Sequence, residues 1–106
     1  MSDLSLKEGT ITFWLPKGFE YNDNLLHILI KQDTKEGSLF VIKDDDNKIK
    51  IFHVILDKGR TDIEFDVTKL SSNEKHMIAI SWSLKSKELK FYLDGVQKVV
   101  KTIVTN

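Results

Sequence analysis

Apolar and polar residues alternate along several short segments of this chain. Residues 61–67 alternate strictly, with Ile63, Phe65 and Val67 separated by acidic side chains. Residues 10–15 show the same period of two. Successive side chains of a β-strand point to opposite faces, so this period predicts strands that bury one face and expose the other.

Eight segments carry such an alternation or a short apolar run, at spacings of about ten residues. They are residues 10–15, 25–30, 38–42, 49–56, 61–67, 77–83, 88–93 and 96–104. Asp94-Gly95 separates the last two segments and predicts a tight hairpin. Ser71 and Glu74 have the spacing of a helix capping box, but no apolar helical run follows them, so we predict a single turn there.

Eight short strands without a helical period indicate an all-β sandwich or barrel. A sheet with one apolar face must cover that face, and a second sheet packed about 10 Å away does so. We therefore predict an all-β fold in which two antiparallel sheets form a sandwich. A length of 106 residues fits a single domain spanning residues 1–106.

The composition excludes several classes of function. The 16 basic and 16 acidic residues cancel, whereas nucleic-acid binding favours a basic excess, so we expect no nucleic-acid partner. No apolar run approaches the roughly 20 residues that cross a bilayer, and the first residues do not resemble a signal peptide. The chain has no cysteine. These features predict a soluble domain, either cytoplasmic or excised from an extracellular protein, that makes no membrane contact.

Three segments carry a resemblance to a known family. Residues 76–82 read His-Met-Ile-Ala-Ile-Ser-Trp, residues 89–95 read Leu-Lys-Phe-Tyr-Leu-Asp-Gly, and residues 9–14 read Gly-Thr-Ile-Thr-Phe-Trp. They resemble the core strands of laminin-G-like domains, which have a concanavalin A-like jelly-roll fold. The resemblance implies a short version of that jelly roll, and its motifs are structural, so they say little about function.

The chain departs from the family pattern in two respects. Lys75 stands where the family usually has a tryptophan, and the family usually continues into further strands beyond the Asp94-Gly95 hairpin. We expect such a short domain to leave sheet edges uncovered. Uncovered edges pair with other chains, so the sequence predicts a homo-oligomer, most simply a homodimer, assembled through sheet edges.

The acidic strand is the clearest candidate for catalysis. Retaining glucanases that share this jelly roll carry Glu-x-Asp-x-Glu on one strand, whereas this chain has Asp62, Glu64 and Asp66. The shorter aspartate side chains would have to bridge outer positions whose Cα atoms are roughly 13 Å apart along the strand, while retaining hydrolysis needs carboxyl groups about 5 to 5.5 Å apart. We interpret the segment as a solvated acidic face, and keep a glycoside hydrolase as an alternative.

Metal binding has two weak candidates. Residues 44–46 are three aspartates that could supply oxygen ligands to calcium, but calcium needs six to eight converging oxygens, and a solvated hairpin turn fits the run better. His27, His53 and His76 fall on three different predicted strands, which favours packing roles over a zinc site. We expect no cofactor, and calcium is the one ion that the sequence leaves open.

Aromatic residues give the strongest indication of binding. Trp14, Tyr21 and Tyr92 are candidates to line a shallow groove, since each is predicted to lie off the core face of its strand or in a loop. The alternative for Trp14, which we favour, is that its ring fills the second face of the sandwich. We expect a binding or interaction module for carbohydrate or protein, not an enzyme, with a purely structural, self-assembling domain as a further alternative. The candidate ligand-binding residues are Trp14, Arg60, Asp62, Glu64, Asp66 and Tyr92.

Overall fold

The computed structural model describes residues 5–104, which form eight β-strands. In chain order these are β1 (Glu8–Leu15), β2 (His27–Thr34), β3 (Gly37–Lys43), β4 (Lys48–Ile55), β5 (Gly59–Asp66), β6 (His76–Ser83), β7 (Glu88–Leu93) and β8 (Val96–Thr102). Residues 5–104 contain no helix, and so none that could cross a bilayer. Residues 71–74 lie in a turn, as the sequence predicted.

The strands form two antiparallel sheets of four strands each. Sheet I has the order β1-β6-β7-β8, and sheet II has the order β2-β3-β4-β5. The sheets pack face to face, with Phe65 of β5 and Phe91 of β7 at 5.2 Å between ring centroids. The predicted all-β, two-sheet antiparallel sandwich is thus confirmed.

The inner faces of the two sheets meet in an apolar core. In sheet I, Ile80 of β6 lies between Ile11 of β1 and Phe91 of β7 in the strand register. Burying an isoleucine or phenylalanine side chain contributes about 1.5–3 kcal/mol, so the shared core is the main stabilising term. The fully buried core side chains include Leu6, Leu39, Val41, Ile49, Ile51, Ile63, Val67, Ile78, Ile80, Leu89 and Phe91.

Strand β2 differs most from its predicted bounds of 25–30. Asn24 has a φ of 60°, and the backbone N–H of Leu25 donates to the side chain of Asp23, so the chain turns before the strand begins at His27. The strand then continues to Thr34 because its polar half pairs with β3. Leu25 and Leu26 are exposed, although their apolar character predicted a strand interior.

The end of the sandwich where β2 begins and β3 ends contains a buried lysine. The Lys43 side chain is fully buried, and its Nζ donates to Asp23 at 2.6 Å and to Asn47 at 3.1 Å. These hydrogen bonds compensate the buried charge, which would otherwise be costly. Hydrogen bonds to Lys43 and then to His27 lower the pKa of Asp23. The loop before β2 is therefore tied to the β3–β4 turn by polar contacts.

The segment before β1 closes the opposite end. Leu6 is fully buried, and its carbonyl accepts a hydrogen bond from His53 Nε2 at 2.9 Å. The indole of Trp82 donates to the carbonyl of Ser5 at 2.8 Å. Because His53 belongs to sheet II and Trp82 to sheet I, this short segment links the two sheets.

The C-terminal segment closes one side of the sandwich. The backbone N–H of Val104 donates to Thr61 Oγ1 at 2.8 Å, so the chain that leaves β8 in sheet I lies against β5 in sheet II. A Cβ built on Gly59 would lie 2.7 Å from Val104. The edges of β5 and β8 are thus joined along one side, and β1 and β2 form the edges on the other.

Gly37 and Gly95 differ in the space that an added Cβ would find, so substituting each of them should cost a different amount of stability. We expect Gly37→Ala to destabilise the fold by at least about 3 kcal/mol, because a Cβ there would lie 1.9 Å from the Val54 carbonyl oxygen. Gly95→Ala should cost only about 1–2 kcal/mol, because its φ of 84° is strained for alanine but no atom lies within 4 Å of the added Cβ. Urea unfolding of both variants measures how much unfolding free energy each substitution removes. Equal losses would contradict the close packing of Gly37.

Candidate functional site

The outer face of sheet II carries the predicted acidic strand. On β5, Ile63 is fully buried, while Arg60, Asp62, Glu64 and Asp66 point away from the core. The antiparallel register places these four opposite outward residues of β4. The predicted solvated acidic face therefore exists, and it is part of a wider surface shared by the strands of sheet II.

Two phenylalanines form the centre of this surface. Phe40 of β3 lies directly opposite Phe52 of β4, with ring centroids 6.1 Å apart and an interplanar angle of 30°. The Arg60 guanidinium lies over the Phe52 ring, 5.4 Å from its centroid. The rings and their neighbours line a shallow depression of about 400 Å³, within the range of ligand pockets. It is lined by Lys31, Asp33, Ser38, Phe40, Phe52, Val54 and Arg60.

The charged groups on this face are paired with one another. Arg60 Nε lies 2.8 Å from Asp62 Oδ1 in an ion pair, although its N–H is not aimed at that oxygen. Glu64 lies 3.7 Å from the Nζ of Lys50 and 3.9 Å from that of Lys48. These pairs are partly exposed, so each contributes little to stability. They balance the charge of the face.

Lys50 also neutralises the aspartate run considered for calcium. Carboxylate oxygens of Asp44, Asp45 and Asp46 lie within 4.8 Å of one another. Lys50 Nζ contacts Asp44 at 2.8 Å and Asp46 at 3.1 Å, and these hydrogen bonds raise the pKa of Lys50 and lower that of Asp44. The ammonium group thus supplies the positive charge that a cation would bring. The cluster brings together one oxygen from each of three aspartates, whereas calcium prefers six to eight oxygens.

The two outer aspartates of the acidic strand are separated along β5, and the turn that follows β5 engages one of them. β5 is extended through Asp62 and Asp66, so their Cα atoms are roughly 13 Å apart. Asp66 accepts hydrogen bonds from the backbone N–H and the hydroxyl of Thr68, at 2.9 and 2.7 Å. These bonds lower the pKa of Asp66, whereas a catalytic acid needs a raised pKa. Asp66 is therefore held as a carboxylate by the turn that follows β5.

Trp14 and Tyr92 lie on the other side of the molecule. Both point outward from sheet I, where Trp14 is 57 % exposed and Lys75 Nζ lies 4.9 Å from its ring centroid. The six candidate residues are therefore divided between opposite faces, four on sheet II and two on sheet I. The outer face of sheet I also has a smaller polar depression of about 230 Å³, near Thr10 and Ser81.

Tyr21 does not line a groove, so that part of the aromatic prediction is wrong. Its ring is buried, with 1 % of its surface exposed, and it packs edge-on against Phe19 and His76. Burial and the nearby Asp94 charge raise the pKa of Tyr21 to about 12. A polar loop sequence around Tyr21 hid its burial, because the loop folds back over the end of the core.

Phe40 and Phe52 belong to the site but are not among the residues that the sequence predicted. Each alternates with residues of the buried face, Leu39 and Val41 beside Phe40 and Ile51 and His53 beside Phe52. That alternation was the available signal, since it places both rings on the outer face.

Each of the three histidines has its own partners. His27 contacts Asp23 at 2.6 Å, His53 donates to the Leu6 carbonyl, and His76 contacts Asp94 at 2.7 Å. Burial lowers the pKa of His53. Burial also opposes the charge on His76, but hydrogen bonds to Asp94 and to the Ser71 carbonyl outweigh it and raise the pKa. These contacts are structural: His76 joins the start of β6 to the β7–β8 turn.

The chain matches no protein-family model, and no curated protein sequence matches it. The outer face of sheet II offers a depression of about 400 Å³ with an aromatic pair at its centre and charged groups around it.

The two buried histidines should affect stability with opposite pH dependence. His53, with its lowered pKa, costs no stability above pH 6.5 and destabilises the fold as pH falls through that lowered pKa. His76, with its raised pKa, stabilises the fold fully below pH 6.5 and loses this contribution as pH rises through the raised pKa. Urea unfolding between about pH 5 and 8 checks both signs.

The readout is the difference in unfolding free energy between wild type and each variant. On acidification this difference should fall for His53→Gln and rise for His76→Gln. His27→Gln, at a partly exposed position, is the control for a histidine change outside the core. The same trend in both core variants would contradict the assigned charge states.

Proposed function

We propose that the protein is a non-catalytic binding module whose ligand, a carbohydrate, occupies the outer face of sheet II. The observation that carries this proposal is the Phe40–Phe52 pair set in a depression whose charges are already balanced. Sugar rings pack their C–H faces on aromatic side chains, and their hydroxyl groups both donate and accept hydrogen bonds. An uncharged polyol therefore fits a surface that offers carboxylates and cations side by side.

The charge balance is the reason to prefer a neutral ligand over a charged peptide or nucleic acid. Arg60 is paired with Asp62, and Lys50 is paired with Asp44, Asp46 and Glu64. A strongly charged ligand would have to displace these partners. A hydroxyl group can bridge the members of a pair without separating them. A protein ligand is the second candidate, because an exposed arginine beside aromatic rings is also typical of protein interfaces.

We also propose that the sandwich is a short laminin-G-like domain of the concanavalin A-like type. Two contacts support this. The motif strands β6 and β7 are neighbours in sheet I, and His76 at the start of the first motif contacts Asp94 at the end of the second. Asp94 and Gly95 both have positive φ, 52° and 84°, as a two-residue hairpin turn requires.

A neutral oligosaccharide array, followed by titration calorimetry of the strongest hit, tests the proposed binding face. We expect Arg60→Ala to weaken binding about tenfold (~1.4 kcal/mol), because it removes the guanidinium hydrogen-bond donors that lie beside Phe52 in the depression. Tyr92→Ala is the matched control on the outer face of sheet I and should leave affinity unchanged. Binding lost with Tyr92→Ala and retained with Arg60→Ala would place the ligand on sheet I and contradict the proposal.

A β-glucan hydrolysis assay on the same protein tests the enzyme alternative. We expect no turnover above that of an Asp62→Asn variant, because short aspartate side chains would have to bridge Cα positions roughly 13 Å apart, and the lowered pKa of Asp66 disfavours it as the general acid. Turnover that disappears in Asp62→Asn would overturn the non-catalytic assignment. If no oligosaccharide on the array binds, and selected peptides bind in a way that depends on Arg60, the ligand is a protein and not a carbohydrate.

A further inference from the structure

The four edge strands of the sandwich are protected to very different degrees. β2 has a register irregularity between Ile28 and Ile30 and carries Lys31 and Asp33. β8 has an irregularity in its pairing with β7 and carries Lys98 and Lys101. Bulges and charged side chains are the features by which natural sheets prevent their edges from pairing with other chains.

Edge strand β5 is protected by two other features. Its outward side chains are charged, and the segment that follows β8 lies against it through the hydrogen bond between Val104 and Thr61. A strand from another molecule would have to displace that segment. Three of the four edges are therefore poor templates for a further strand.

β1 has none of these protections in the part of the chain that the structure describes. It pairs with β6 in an unbroken register of eight residues, and residues 9–15 are uncharged and contain no proline. Threonine, isoleucine, phenylalanine and tryptophan, which favour strands, dominate this run. Ile11 and Phe13 point towards the core but are only partly buried, and Trp14 is 57 % exposed. A long, regular, uncharged edge is a site for strand addition.

We propose that β1 pairs antiparallel with β1 of a second copy of this chain, with Thr12 on the two-fold axis. The pairing joins the two copies of sheet I into one continuous eight-stranded sheet. This inference concerns a different surface from the outer face of sheet II, so it does not depend on the proposed function.

The sequence of β1 is self-complementary about Thr12. In this register Ile11 lies opposite Phe13 of the second copy, and both point towards the core side. Thr10 lies opposite Trp14 of the second copy on the outer side. Residues 9–15 are the longest uncharged run within the strand, and Thr12 is its midpoint. Glu8 falls opposite Pro16, outside the paired strand, so the two-fold axis brings no like charges together.

A single cysteine placed on the axis provides the first test, because the natural chain has none. Residues directly opposite in an antiparallel pair have Cα atoms about 4.5–5.5 Å apart, within the range that a disulfide spans. Thr12→Cys should therefore form a disulfide-linked dimer under mild oxidation. Thr102→Cys is the matched control, since Thr102 is an exposed threonine on β8, the opposite edge of the same sheet. It should stay unlinked.

The mass in solution provides the second test. Sedimentation of the wild-type protein at micromolar concentrations should give a dimer mass of twice 12.3 kDa. Thr12→Lys should reduce it to that of the monomer, because two lysines would face each other across the axis, while Thr102→Lys should remain dimeric. The near-ultraviolet circular dichroism of Thr12→Lys should match that of Thr102→Lys, which shows that the variant is folded.

Three results would overturn the proposal. If the wild-type protein sediments as a monomer, the proposed dimer is excluded, and the partner of the β1 edge would instead be an extended peptide of another protein. A dimer that persists in Thr12→Lys places the interface elsewhere. Cross-linking of Thr10→Cys, but not of Thr12→Cys, excludes Thr12 as the position of the axis.

Discussion

The packing of two apolar sheet faces against each other determines which side chains of each strand are buried and which point to the solvent. In a strand, the position of one buried side chain fixes the direction of all the others, because the period is two. Ile51 and Ile63 are fully buried, so their neighbours Phe52, Asp62 and Glu64 must point outward. A slip of one residue would bury those carboxylates, at a large cost in desolvation. The surface chemistry of sheet II thus follows from the composition of the core.

Much of the fold could be predicted from the sequence, because local signals and core packing agree. Residues 61–67, most of which belong to β5, alternate strictly, and Asp94-Gly95 supplies the positive φ angles that the β7–β8 hairpin needs. Prediction was weaker where tertiary contacts override local character. The polar half of β2 is a strand because β3 pairs with it, and Tyr21 is buried because its loop folds over the core.

The candidate site was predictable only in part, for a similar reason. Alternation identified the outward direction of Arg60, Asp62, Glu64 and Asp66, but sequence cannot show which strands are neighbours in a sheet. Only the order of sheet II places Phe52 of β4 between Phe40 of β3 and the charged residues of β5, and only the separation of β1 from sheet II puts Trp14 on the opposite side. The Lys50 contacts likewise join a turn to two strands, so the aspartate run could not be assigned from its spacing alone.

The unbroken edge of β1 also has a consequence for how a ligand is encountered. A two-fold axis through Thr12 runs perpendicular to the joined sheet. Both copies of sheet II therefore lie on the same side of the joined sheet, and their outer faces point in the same direction. A molecule or surface that displays repeated epitopes could then engage both faces at once. The second contact would form at a high effective concentration, so avidity would make weak individual sites sufficient for tight attachment.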